Sequence, residues 1–350
     1  MLVLGCAGEN GPTGVAGGGD DPIGGDLCTI PLDEIFDGGV GRDGIRSLEN
    51  PALVAVDHNE AGYLLPDDRV VGLVIDGQDV AVPLNVLWWH EIVNFDLGGP
   101  PVAVSFCPLT GSSLVFDRTS IGGSELGVSG LIFRNNLIMF DRDSGSLWPQ
   151  MLRASACGDL QRTELPLFPS VEMSWAGWKA LHPAGLVISE ETGRFRNYRR
   201  YPYGAYDQRD NPETLFPQPV PHDERREPKE RVLGVVQGSD GGTAFPFGLL
   251  RRADKRAIAI RAQSADAVVF WDRSADGAAA YFRDVDGQAL TFRVDAGRIV
   301  DGETGSVWTV DGLAVEGPLE GERLHWVPKT YVAFWFAWAT FQPESVVWNP

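Results

Sequence analysis

A histidine, a glutamate and a cysteine flank a predicted chain reversal in WWHEIVNFDLGGPPVAVSFCPLTGSS. His90 and Glu91 precede the reversal, and Cys107 follows it. An imidazolium beside a thiol lowers the thiol pKa and creates a nucleophile or a redox centre, whereas a neutral imidazole and a thiolate bind soft metal ions. We expect copper at this site, with zinc as the second choice.

Alternation along VAVSFC predicts the strand that carries Cys107. A reversal centred on Gly98 and Gly99 places residues whose numbers sum to 197 (90 with 107) opposite each other, so that His90 faces Cys107. Such partners have Cβ atoms about 4.5–5.5 Å apart, within reach of one metal ion. A slip of one residue would substitute Glu91, whose harder oxygen donor would favour zinc.

Further soft donors in the same part of the chain are candidates by residue type only. They are Met151, His182 and Met173. The sequence contains no phosphate-binding loop, no Gly-x-Ser-x-Gly elbow and no His-Glu-x-x-His motif. We therefore expect no nucleotide or flavin.

A tandem repeat organises the elements that would position these residues. RVVGLVIDGQDVAVPLNVL from Arg69 recurs as RVLGVVQGSDGGTAFPFGLL from Arg231, and DSGSLW from Asp143 recurs as ETGSVW from Glu303. The repeat predicts two modules of the same fold, with Trp148 and Trp308 at equivalent places.

Short alternating segments separated by turn dipeptides predict hairpins, and helical patterns are confined to PLNVLWWHE and SWAGWKAL. The predicted fold class is α+β and β-rich, with two tandem related modules of antiparallel strands and hairpins and a few short helices. The expected boundaries are a disordered tether at 1–30, a first module at 31–189, a Tyr-, Arg- and Pro-rich connector at 190–230 and a second module at 231–350.

The second module lacks the candidate residues. Trp271 stands in the place of Cys107, Gln342 in the place of His182, and Ala253–Asp254 in the place of His90–Glu91. We therefore interpret it as a degenerate, structural copy.

The N-terminus suggests export. LVLGC resembles the lipobox of bacterial lipoproteins, in which the cysteine, here Cys6, becomes lipid-modified. Because only five residues precede it, this interpretation needs an upstream signal segment; the alternative is a chance cysteine in a disordered tail. In an exported protein Cys28 and Cys157 can pair. We expect an extracytoplasmic location.

The net charge argues against nucleic acids and anionic membranes as partners. With 29 basic and 48 acidic residues the formal charge is −19, and no basic run offsets it. Nucleic acid and anionic lipid surfaces are poor partners for such a chain. Membrane contact is expected only through the lipid anchor.

The motifs around the candidate site, with GVSGLIFRNNLIMFDRDSGSLWPQM, WKALHP and YRRYPYGAYD, resemble the bacterial family DUF3179, a domain of unknown function. The similarity runs from about Asp43 to Val236. Many members have a second cysteine where this chain has Thr110, which favours a single-cysteine role here. The resemblance implies no particular reaction.

Two functional hypotheses follow. In the first, the first module holds a copper or zinc ion for metal handling or a redox step. In the second, the chain is a non-catalytic β-rich binding or scaffold protein, and Cys107 is a buried apolar residue.

Overall fold

Strands dominate the protein, and helices are short. The computed structural model describes residues 28–218, 223–238 and 241–350. The fold is 40% strand and 12% helix, in several mostly antiparallel sheets. The predicted β-rich fold with a few short helices is confirmed. Among the described residues no helix is both long enough and apolar enough to cross a membrane.

The strands of the first module are β1 (Ile35–Asp37), β2 (Leu48–Glu49), β3 (Leu53–Ala55), β4 (Arg69–Ile75), β5 (Gln78–Pro83), β6 (Ile92–Phe95), β7 (Val102–Cys107), β8 (Ser112–Asp117), β9 (Leu126–Phe133), β10 (Asn136–Asp141), β11 (Leu147–Pro149), β12 (Val171–Ser174) and β13 (Leu186–Ile188). Its α-helices are α1 (Leu84–His90) and α2 (Trp175–Leu181). Its 3₁₀ turns are Leu32–Glu34, Asn59–Ala61, Arg118–Ile121 and Gln150–Leu152.

The strands of the second module are β14 (Arg231–Gln237), β15 (Gly241–Pro246), β16 (Lys255–Ala262), β17 (Ala265–Asp272), β18 (Gly277–Phe282), β19 (Asp284–Val285), β20 (Gln288–Ala289), β21 (Phe292–Asp295), β22 (Arg298–Asp301), β23 (Val307–Trp308), β24 (Ala314–Glu316), β25 (Thr330–Phe334) and β26 (Val346–Val347). Its helices are α3 (Phe247–Leu250) and α4 (Trp335–Phe341).

Two eight-stranded sheets are each built from both modules. One has the order β16-β17-β18-β12-β4-β5-β13-β3, and the other has the order β2-β6-β7-β8-β25-β14-β15-β26. In the first sheet, strands β16-β17-β18 of the second module lie next to β12-β4-β5 of the first module. In the second sheet, strands β6-β7-β8 of the first module lie next to β25-β14-β15 of the second module. The modules share their two main sheets, and each contributes to the core of both.

Equivalent contacts recur in the two modules. The indole Nε1 of Trp148 donates to Asp141 Oδ2 at 3.0 Å, and that of Trp308 donates to Asp301 Oδ2 at the same distance. These contacts lie in the matching small sheets β1-β9-β10-β11 and β21-β22-β23-β24. The repeated DSGSLW and ETGSVW motifs thus form the same local structure.

The joint between the modules contains a buried charge cluster. Glu172 in β12 is 4% exposed and contacts Arg69 at 3.2 Å, Arg231 and the hydroxyl of Ser113. Arg69 also pairs with Asp276 of the second module at 2.7 Å. Arg69 and Arg231 begin the two copies of the repeat, so the equivalent ends of β4 and β14 meet at one carboxylate.

Candidate functional site

The hairpin that carries the candidate site has the predicted register. β6 pairs with β7 from Ile92 opposite Ser105 to Phe95 opposite Val102, so that every pair of numbers sums to 197. The ladder continues for one more bond, from the Phe106 amide to the Glu91 carbonyl at 2.8 Å. The alternation and the Gly-Gly reversal therefore identified this pairing correctly.

His90 does not extend this strand towards Cys107, contrary to the prediction. It is the last residue of α1, and Glu91 ends the helix with a φ of 58°. The His90 Nδ1 lies 2.8 Å from the carbonyl of Arg46, and its Nε2 lies 2.8 Å from the hydroxyl of Tyr198.

The surroundings of His90 define its proton state. Because a carbonyl only accepts hydrogen bonds, Nδ1 carries the proton and Nε2 accepts from the tyrosine. Burial lowers the pKa of His90 to about 4, so the ring is neutral at pH 7. Both nitrogens of His90 are engaged by other partners, and the ring orients α1 rather than binding the thiol.

Glu91 is an ionisable group that influences the Cys107 thiol. Both side chains are buried, at 7% and 1% exposure. Burial raises the pKa of Glu91 to about 8, and burial together with the nearby Glu91 carboxylate raises the pKa of Cys107 to about 11. The pair is therefore neutral at pH 7. The positive φ at Glu91 ends α1, and the β6-β7 register continues without a slip.

A buried polar cluster supports the turn that follows Cys107. The amide of Gln150 donates to Ser105 Oγ at 2.8 Å, and its carbonyl oxygen accepts from Ser112 at 2.5 Å and from Asn136 at 2.8 Å. Thr110 contacts both Ser112 and Asn136, at 2.8 and 3.1 Å. Because these groups satisfy one another, they fix the turn without exposing backbone to water.

Tyrosines of the connector lie close to Cys107 and Glu91. Burial raises the pKa values of Tyr201 and Tyr203, and the charge of Cys107 contributes to both shifts. The hydroxyl of Tyr206 donates to the carbonyl of Leu109, in the turn after Cys107, at 2.9 Å. The connector is thus tied to the turn after Cys107 by the Tyr206 hydroxyl.

A family match covers both modules. The model described as "Protein of unknown function (DUF3179)" matches residues 42–345. The chain belongs to this family. The match extends well past Val236, where the resemblance of the motifs ended. No curated protein and no solved structure matches the chain.

In this DUF3179 protein the two less certain candidates take different places. Met151 is 1% exposed, and its amide donates to Asn136 of the polar cluster. His182 lies elsewhere: it stacks on Trp178 with ring centres 4.0 Å apart, and its ring nitrogens lie 3.1 Å from Asp79 and 3.4 Å from Asp311. Met173 is fully buried in β12.

The described part of the chain contains no group of three or more His, Cys, Asp and Glu side chains placed to hold a metal ion. Cys107 is the one free cysteine there. Cys6, the predicted lipidation site, lies outside the described residues. Among the predicted donors, Glu91 is the one whose charge contributes to the raised pKa of Cys107.

The remaining two cysteines form a disulfide. Cys28 and Cys157 are joined across 129 residues of sequence, with Cα atoms 4.1 Å apart. Cys157 also pairs with Leu147 beside β11. The covalent link ties the start of the described chain to the small sheet of the first module.

Sequence reasoning missed the polar cluster, although the repeat carries a signal for it. Where the first module has Ser105, Ser112 and Gln150, the second has Val269, Ala278 and Val310, all buried. A comparison of buried positions between the two copies would have found these residues, because the second copy retains the fold and loses the polar groups.

Proposed function

We propose that the protein is exported and that its first module binds one metal ion through the Cys107 thiolate and the Glu91 carboxylate, with zinc ahead of copper. One observation carries the proposal. Glu91 is 7% exposed, burial raises its pKa to about 8, and its charge contributes to the raised pKa of Cys107. A carboxyl whose pKa burial raises this far is typical of functional sites, because burial disfavours the ionised form.

A bound cation would allow Glu91 and Cys107 to lose their protons at pH 7. Burial alone keeps the carboxyl and the thiol protonated at pH 7. A divalent ion supplies the missing positive charge, so both groups can ionise and coordinate it. A sulfur and an oxygen donor together suit zinc better than copper(I), which prefers soft donors.

The number of donors suggests the kind of site. Structural zinc sites use four protein ligands, whereas sites with open positions leave room for water or substrate. With two protein donors the remaining positions stay open. This arrangement supports transfer or handling of the ion rather than a structural role.

Export is supported by the Cys28–Cys157 disulfide. Disulfides persist in oxidising compartments and are rare in the reducing cytosol of most cells. We infer an extracytoplasmic location, with lipid attachment at Cys6 holding the protein to the membrane.

The test is a metal titration in a Cys6→Ser background, where Cys107 is the remaining free thiol. We expect one zinc ion to bind, with release of up to two protons at pH 7, and weaker binding of copper(I). Cys107→Ala should abolish binding, and Glu91→Gln should weaken it by about 10–100-fold, as other changes around metal sites do. The exposed Glu164→Gln serves as the matched control and should change nothing.

One set of results would rule out metal binding at Cys107. If the protein binds no zinc or copper, and Cys107→Ala folds as well as the parent, the metal proposal is wrong. Cys107 is then a buried apolar residue, and the binding or scaffold hypothesis replaces metal handling.

A further inference from the structure

A cavity lies between the modules, away from Cys107. Its volume is about 370 Å³, and its walls are the rings of Phe168, Trp178, Tyr281 and Trp326. Ligand pockets in proteins usually measure about 300–1,000 Å³ and combine apolar walls with a few polar groups. This cavity is therefore large enough for one or two small rings.

The equivalent place on the other side of the repeat is filled. In the first module Val171 pairs with Gly72 next to Trp178, and in the second module Tyr331 pairs with Gly234 next to Trp338.

One difference between the two sides is the side chain opposite the glycine. The ring of Tyr331 packs on Trp338 with centres 5.4 Å apart. Val171 has no ring to place over Trp178, and it lines the cavity instead. On one side an aromatic ring thus covers the tryptophan, and on the other side a valine leaves part of it facing the cavity.

Charged groups at one end of the cavity balance each other. His182 pairs with Asp79 at 3.1 Å and with Asp311 at 3.4 Å, and Arg323 lies 3.0 Å from Asp311 and 3.8 Å from Asp79. Two cations thus face two carboxylates. A charged ligand would disturb this balance, whereas a neutral polar ligand would not.

The walls also offer a donor. The indole Nε1 of Trp326 is buried without a hydrogen-bond partner among the described residues. The indole Nε1 of Trp178 is also buried without a partner. Because the equivalent Nε1 of Trp338 on the other side lacks a partner as well, we assign no ligand contact to Trp178. Buried donors without partners favour a ligand that carries oxygen acceptors.

We propose that this cavity binds a neutral sugar ring, as a monosaccharide or as one unit of a short glycan. A pyranose has C–H faces that pack against aromatic rings, and its hydroxyls both accept from indole or guanidinium N–H groups and donate to carboxylates. An aromatic carboxylate would match the walls but would add a negative charge beside Asp79 and Asp311. The proposal is independent of the metal site.

The test measures binding of glucose, galactose, N-acetylglucosamine and cellobiose by calorimetry and tryptophan fluorescence, with benzoate as the charged aromatic comparison. We expect at least one sugar to bind with a dissociation constant below about 1 mM and benzoate to bind more weakly. Val171→Tyr, which copies the filled side, should weaken sugar binding at least tenfold. Val346→Tyr, at a 64% exposed valine, is the matched control and should leave binding unchanged.

A second variant protects the test against misfolding. Trp326→Phe removes the indole donor and retains a ring, and it should weaken sugar binding severalfold. The proposal is overturned if none of the four sugars binds, if benzoate binds more tightly than all of them, or if sugar binding is unaffected by Val171→Tyr or by Trp326→Phe.

Discussion

The two modules repeat one framework but differ in what their cores contain. Around Cys107 the first module buries hydroxyls, amides and a carboxyl, whereas the equivalent region of the second module buries Val269, Trp271, Ala278 and Val310. The indole-to-aspartate contacts of Trp148 and Trp308 are the same in both. The framework thus depends on the shared contacts, and the polar groups of the first module are not required for it.

The cavity between the modules, which His182 lines, also differs from its equivalent place in the repeat. The framework of Gly72 and Trp178 leaves a space there, and Tyr331 fills the corresponding space beside Gly234 and Trp338. A duplicated fold therefore keeps one framework while the side chains at equivalent places differ between the copies.

The largest expected effect is at Glu172, where the second module has Val332. Glu172→Ala removes the buried carboxylate that Arg69 and Arg231 share, although Arg69 keeps Asp276, and removing one member of a buried ion pair costs about 3–5 kcal/mol. Val332→Ala removes apolar area alone and should cost less. Urea unfolding measures both, and a larger effect for Val332→Ala would contradict the proposed role of the cluster.

The disulfide is the next largest difference between the modules. Glu316 of the second module, next to Gly317, takes the place of Cys157. Replacing both Cys28 and Cys157 by serine should lower the free energy of unfolding by about 2–5 kcal/mol. A reducing agent should destabilise the parent and leave this double variant unchanged; equal sensitivity of both proteins would refute the link.

The polar cluster should show a smaller effect. Gln150→Val introduces the residue of the second module and leaves Ser112 and Asn136 short of a partner, at a cost of about 1–3 kcal/mol. Adding Ser112→Ala, also taken from the second module, should recover part of the loss. Thermal unfolding shows whether the double variant is more stable than Gln150→Val. If Gln150→Val alone is as stable as the parent, the hydrogen bonds of Gln150 do not contribute to stability.

The smallest effect concerns pH and His182, which is Gln342 in the second module. Burial lowers the pKa of His182, but the carboxylates of Asp311 and Asp79 outweigh it and raise the pKa to about 9. The stabilisation by the protonated ring is therefore complete below its usual pKa of 6.5 and is lost as the pH rises through about 9.

The pH range of this stabilisation can be measured by comparing the parent with His182→Gln. Burial opposes ionisation of Asp311, but the contacts with His182 and Thr309 hold its pKa at about 2, so its contribution is lost as the pH falls from 3.8 through 2. The stability difference between the parent and His182→Gln should be greatest between about pH 4 and 6.5. A difference that grows towards pH 9 would contradict the ion pair.

Local patterns in the sequence predicted local structure well. Alternation in VAVSFC and the Gly-Gly reversal determine the β6-β7 register because side chains alternate strictly along a strand. The end of α1 was not predictable in this way. The φ of 58° at Glu91 ends the helix at His90, and no residue pattern there signals a positive φ.

Long-range pairing was also beyond the sequence. Turn dipeptides identify hairpins, but they carry no information on which hairpin lies next to which. The pairing of β12 with β18 and of β25 with β8, which joins the modules into shared sheets, depends on contacts between residues more than a hundred positions apart.

We propose that the first module has a metal site that the second module lacks, and anomalous diffraction from crystals soaked in zinc can distinguish the two modules. We expect one zinc peak about 2.3 Å from the Cys107 sulfur and about 2.0–2.2 Å from a Glu91 oxygen, and no peak beside Trp271. A structure from such crystals with no zinc at Cys107, or with zinc held only by other residues, would contradict it.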